Sequence, residues 1–138
     1  ARAFAAEVDR VLADPRSWGA GGRASFQRVD AGPVRFRVVL ASPRTTDRLC
    51  RPYDTQSRYS CGLLDRAVIN SARWQGGARS YDGRLADYRR YVVNHEVGHA
   101  LDHRHERCPG RGRPAPVMLQ QTISLRGCRA NPWPYPSP

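Results

Sequence analysis

Between positions 95 and 105 the chain reads HEVGHALDHRH, and this stretch holds all 4 histidines of a 138-residue sequence. The spacing constrains the fold strongly. His95 and His99 stand four residues apart, which on a helix puts two imidazoles on one face, close enough to share one ion at nitrogen distances of about 2.0–2.1 Å. Leu85, Tyr88, Val92, His95 and His99 fall on one helical face, which predicts a helix from about Arg84 to Leu101 with Asp82 as its N-cap. Glu96, beside the first imidazole, is placed to act as general base on a water activated by the ion. The residue types therefore predict a catalytic zinc (Zn2+) site.

A catalytic zinc takes three protein ligands and keeps one position open. No Asp or Glu follows Glu106, which disfavours a glutamate from a later helix and leaves Asp102, His103, His105, Glu106 or an upstream residue. His103 lies eight residues beyond His95, about 12 Å along a straight helix, so it converges with the pair only if the chain turns. With the helix ending near Leu101 and a bend at Asp102, His105 returns to the ion from outside the helix. His105 is the expected third ligand and His103 the alternative.

Cys50, Cys61, Cys108 and Cys128 include no Cys-x-x-Cys pair, which favours disulfides over a thiolate zinc site. Cys50 with Cys61 and Cys108 with Cys128 are the expected bridges, because each closes a short loop containing turn residues and contributes about 2–4 kcal/mol. Disulfides persist outside the reducing cytosol, so an extracellular location is expected. No apolar run approaches the roughly 20 residues of a membrane span, and no signal peptide is expected within these residues. The start at Ala1 points to a mature or excised domain whose targeting segment or surface anchor lies outside it.

The length fits one domain over 1–138, with 131–138 as an extended tail. All 23 basic residues are arginines, against 12 acidic ones, for a formal charge of +11. Such a field attracts anionic partners, a phosphate-rich cell envelope among them. The arginines are scattered, however, and no zinc-finger spacing, aromatic RNA-binding signature or basic helix occurs, which argues against nucleic acid. A monomer is expected.

Periodicity supplies the remaining elements. Phe4, Val8, Val11 and Leu12 predict a helix over Arg2–Ala13, stopped by Asp14-Pro15. A turn over Gly19–Gly22 precedes two expected strands, Ala24–Val29 and Val34–Ala41. Ser42–Arg58 reads as a surface loop, Ala67–Ser71 as a third strand and Gln75–Gly83 as a loop. Beyond Cys108 nothing is periodic.

The stretch His95–His105 resembles the metzincin consensus HExxHxxGxxH, matching at His95, Glu96, His99 and His105 and carrying Asp102 in place of glycine. Asp is among the few other residues that tolerate positive φ. Met118, the single methionine, stands where the resemblance implies a methionine turn beneath the metal, and Gln120 where some metzincins carry tyrosine. Over residues 4–134, through segments such as VRFRVVLASP, AVINSARW, ERCPGRGRPAPVMLQQT and CRANPWP, the chain is also similar to an actinobacterial family of secreted or surface-anchored domains of uncharacterised function. The resemblances imply an actinobacterial source and a zincin-like α/β (α+β) fold: a small twisted, mostly parallel sheet, an N-terminal helix, a central metal-binding helix and an irregular C-terminal segment. They also imply that Val68–Trp74 is an edge strand that pairs with extended peptide, and that 119–125 walls the leaving-group side of a pocket. The expected function is that of a secreted zinc endopeptidase with Glu96 as general base and a peptide or protein substrate. Two alternatives remain: a catalytically inactive metal-binding or cell-envelope interaction domain on the same fold, and a structural zinc site closed by Cys108.

Overall fold

The computed structural model describes residues 1–137; Pro138, the end of the expected tail, lies outside them. The chain is a mixed α/β structure built of α1 (Arg2–Ala13), β1 (Arg37–Ala41), α2 (Pro43–Leu49), β2 (Cys61–Leu63), β3 (Arg66–Asn70), α3 (Ser71–Gly76) and α4 (Leu85–Ala100). No helix among the described residues is long and apolar enough to cross a membrane.

The strands form one sheet in the order β1-β3-β2. β1 runs parallel to β3, with Arg37 opposite Arg66 and Ala41 opposite Asn70. β2 runs antiparallel to β3, with Cys61 opposite Val68. The sheet is therefore mixed rather than mostly parallel. β3 is its centre, which explains the unbroken buried run Ala67, Val68, Ile69, Asn70: a strand paired on both sides and covered on both faces has no polar face to show. This overturns the expectation that 68–74 is an edge strand. Residues 71–74 belong instead to α3, whose first turn Asn70 caps by accepting from the Ala72 amide at 2.9 Å.

α4 packs against β2, β3 and α1. Val8, Val11 and Leu12 of α1, Ala67 and Ile69 of β3, Tyr88, Val92, Val93 and Val97 of α4, and Val117, Met118 and Trp133 form one buried cluster. A helix covered on nearly all sides loses the one-sided apolar pattern of a surface helix, and from Val92 to Gly98 every residue of α4 is buried.

Several local expectations change. Residues 24–29 form no strand: Val29 is exposed, no strand pairs with the segment, and Phe26 instead packs edge-on against Phe36. β1 begins at Arg37 rather than at Val34, which is exposed. Part of the expected 42–58 loop is α2, started by a Ser42 side chain that accepts from the Thr45 amide and by Pro43 in the first turn. Asp82 adopts a left-handed conformation and ends a short 3₁₀ turn over Arg79–Tyr81, so α4 starts at Leu85 without a side-chain cap. After α4 the chain is irregular and held by specific contacts. Both expected disulfides are formed. Residues 131–137 are docked rather than trailing: Asn131 and Trp133 are buried, Pro132 accepts from Asn94 Nδ2, and Tyr135 donates its amide to the Arg16 carbonyl.

Candidate metal centre

The last turn of α4 decides where the histidines meet. Asp102 takes φ +70°, its amide donates to the His99 carbonyl at 2.9 Å, and the His103 amide reaches back to the Gly98 carbonyl at 2.8 Å. This pair of reversed bonds around one left-handed residue closes a helix C-terminus and redirects the chain. His105 thereby returns to the face from which His95 and His99 project. One ring nitrogen from each of His95, His99 and His105 lies within 4.8 Å of the other two, and Nε2 of His99 is 3.1 Å from Nε2 of His105.

Backbone carbonyls orient two of the rings. Nδ1 of His95 is 2.8 Å from the Val117 carbonyl and Nδ1 of His99 is 2.9 Å from the His103 carbonyl. A carbonyl only accepts, so each Nδ1 carries the proton and each Nε2 keeps its lone pair. Burial pushes the His95 imidazole down to about 3. Burial, then the neighbouring His105, lowers His99, and burial lowers His105. These are neutral imidazoles, the form that binds metal. Two nitrogens on one tetrahedral zinc at 2.0–2.1 Å each stand about 3.3 Å apart, close to the His99–His105 separation, so the donor set fits the ion.

His103 takes no part in the cluster: its ring stacks on Trp18 at 4.2 Å, and it serves through its backbone carbonyl. Cys108 is bonded to Cys128 and no cysteine is free, which removes the site closed by a Cys108 thiolate. Met118 is 1% exposed beneath α4, against Gly98, where an added Cβ would lie 2.5 Å from its sulfur. Its carbonyl accepts from the Glu106 amide at 3.0 Å, tying the segment that carries His105 to the floor of the site.

Glu96 is buried beside the triad, and burial alone pushes its carboxyl up to about 8. Both lie at the bottom of a cleft of about 630 Å³, within the usual size of small-ligand sites. One wall is β2 with the loop before it. Gly62 is required there, because a Cβ would meet the Glu96 carbonyl oxygen at 2.4 Å and His99 Cβ at 2.5 Å. The other edge of β2 pairs with no strand among the described residues. The adjoining loop is pinned by Asp47, which accepts from Thr55 Oγ1 at 2.6 Å and the Ser57 amide at 2.7 Å, and by the Cys50–Cys61 bridge. The opposite wall is Gln120, Thr122 and Ile123, braced from below by Tyr91, which donates to the Leu119 carbonyl, and by Tyr88 against Thr122.

The sequence reading missed β2, Gly62, Tyr91 and Arg104, all of which line the cleft. Three residues are too few to show a strand period. The one available signal was Gly62 itself, a glycine directly after a bridged cysteine. A family model described as a protein of unknown function (DUF3152) matches residues 1–136. No curated protein and no solved structure matches the chain.

Proposed function

Because the chain belongs to the DUF3152 family, described as protein of unknown function, its activity must be argued from the site, and we propose a zinc endopeptidase of metzincin-like, zincin-type architecture. The observation that carries this reading is the convergence of three neutral imidazoles beside a buried carboxyl at the floor of an open cleft. His95, His99 and His105 would hold the ion. When bound, zinc supplies Lewis-acid polarisation and lowers the pKa of water. The charge of a bound cation would favour the ionised form of Glu96 against the burial that raises its pKa, so that its carboxylate takes a proton from the attacking water and delivers it to the departing amine, as general base and then general acid. The unpaired edge of β2 offers main-chain donors and acceptors along which an extended peptide lies as an added strand. The two disulfides support a secreted or surface-anchored location, at the cell envelope or beyond it, and the ion is expected to be zinc from the all-nitrogen donor set.

The test combines metal content with turnover. Glu96→Gln should retain one zinc per chain and lose cleavage of a diverse peptide library by about 100-fold or more. His105→Ala should lose the zinc, whereas His103→Ala should keep it. Full hydrolysis by Glu96→Gln would sink the catalytic assignment. A second reading, a metal-holding domain that binds without turnover, is favoured by Gln120 on the wall, at the place where some of the metzincins that the chain resembles carry tyrosine; zinc bound with no peptide in the library cleaved is its signature.

A further inference from the structure

The groove continues past the histidines. Beyond His105 it opens into a second hollow whose lining includes Glu106, Arg107, Leu119, Gln120 and Arg126, and which shares His105 and Gln120 with the cleft over the triad. Two arginines line it together, and a covalent link accounts for their nearness in the fold. Arg107 precedes Cys108, Arg126 stands two residues before Cys128, and the bridge holds the cysteine Cα atoms 5.9 Å apart.

These guanidinium groups are uncommitted. Arg10, Arg16, Arg28, Arg66 and Arg90 form ion pairs, but neither Arg107 nor Arg126 joins one among the described residues. Glu106 is the one carboxylate lining the hollow, and it too is in no ion pair. From Arg107 onward the chain has Arg107, Arg111, Arg113, Arg126 and Arg129 and no acidic residue. Arg104, across His105, adds a further positive charge to the adjoining cleft, opposed there by Asp54. Arg126 also holds φ +51°, a conformation that glycine or asparagine adopts at less cost, immediately before Gly127 at φ +92°.

We propose that Arg107 and Arg126 form a carboxylate-binding subsite adjoining the metal centre, so that the preferred substrate is a peptide presenting an acidic side chain or a free C-terminal carboxylate at that point. This inference rests on the peptidase reading for the peptide that fills the cleft. Two guanidinium forks offer paired N–H donors matched to carboxylate geometry, which a pair of lysines would not. Their exposure makes the preference sensitive to salt.

The experiment measures binding, without turnover, to the zinc-loaded full chain carrying Glu96→Gln. Fluorescently labelled peptides differ only in Glu against Gln, scanned along the sequence, and in a free against an amidated C-terminus. At one position of the scan, or at the terminus, the charged form should bind about tenfold tighter, and the preference should shrink as salt rises. Adding Arg107→Gln and Arg126→Gln should bring the ratio to about one while leaving the melting temperature unchanged, because both side chains are exposed. Dependence on Glu against Gln identifies a side-chain carboxylate; dependence on amidation identifies a chain end. Equal binding of charged and neutral peptides, no binding of any peptide, or a preference that survives the double variant would overturn the subsite. Failure of the peptidase reading looks different: an acid preference in binding, with no peptide cleaved by the wild-type chain.

Discussion

Asp102 stands where the turn asks for glycine. Its φ of +70° closes α4 and sends His105 back to the cluster, and an aspartate there costs more than glycine but less than a branched residue. Asp102→Gly should therefore change stability by no more than about 0.5 kcal/mol, since relief of the left-handed backbone is offset by a freer unfolded chain. Asp102→Val should cost about 1–2 kcal/mol. Thermal unfolding of the two variants checks the pair, and equal melting temperatures would show that the left-handed turn is not strained. The same turn brings the ring of His105, and not that of His103, to His95 and His99. With its ring stacked on Trp18, His103 contributes the carbonyl that orients His99, while His105 brings the third ring.

At the scale of elements, the site is a three-way contact among α4, β2 and the irregular segment that carries Met118. Two glycines set its spacing. Gly62 lets β2 touch the backbone of α4 at Glu96, and Gly98 lets α4 settle on Met118 and on Trp18, whose Cζ2 would lie 2.7 Å from a Cβ at that position. In a helix interior glycine is otherwise unfavourable by about 0.5–1 kcal/mol relative to alanine, so close packing has to outweigh propensity here. Gly98→Ala should accordingly destabilise by about 1–3 kcal/mol, the cost of forcing a methyl into a filled core. Denaturant unfolding measures it, and a gain in stability would mean that Met118 does not seal the underside of the helix. The partner contacts also explain why α4 lacks a strong N-cap: packing along most of its length, rather than its first turn, stabilises it.

Across the whole molecule, the irregular C-terminal third is joined to the helical half through a buried tyrosine cluster. Tyr81, Tyr88 and Tyr91 pack ring against ring, and their hydroxyls meet Gln121, Thr122 and the Leu119 carbonyl. Burial raises all three phenols above their ordinary value of 10.0, Tyr88 to about 12. An acid whose folded pKa is raised holds its proton more tightly in the fold, so its contribution is full below pH 10 and is lost as pH climbs through the folded values. The melting temperature should show no pH dependence from these groups below pH 10 and should fall above it, with phenolate absorbance of the three tyrosines rising together with unfolding. Early titration of these phenols in a still-folded chain would show that the C-terminal third is not sealed against α4.

Local pattern determined much of this protein without any tertiary information. The apolar spacing of the first helix returns Arg2–Ala13 in the structure, and the helix expected over 84–101 spans Leu85–Ala100. Short loops with turn residues were enough to pair Cys50 with Cys61 and Cys108 with Cys128. A spacing of four put His95 and His99 on one face, because a helix repeats within a single element. α2 was legible as well, in Ser42-Pro43, but a polar composition masked it. Only the tertiary structure decided that β3 is central and β2 the edge beside the site, and that 24–29 has no partner strand, since strand pairing depends on residues far apart in the chain. It alone supplied the Val117 carbonyl for His95, the burial that keeps the His95 imidazole neutral, and the placing of Arg107 and Arg126 along one hollow. Residue types and their helical spacing are local properties; the low dielectric, the carbonyls that orient the histidine rings and the strand edge come from surfaces brought together only when the core closes.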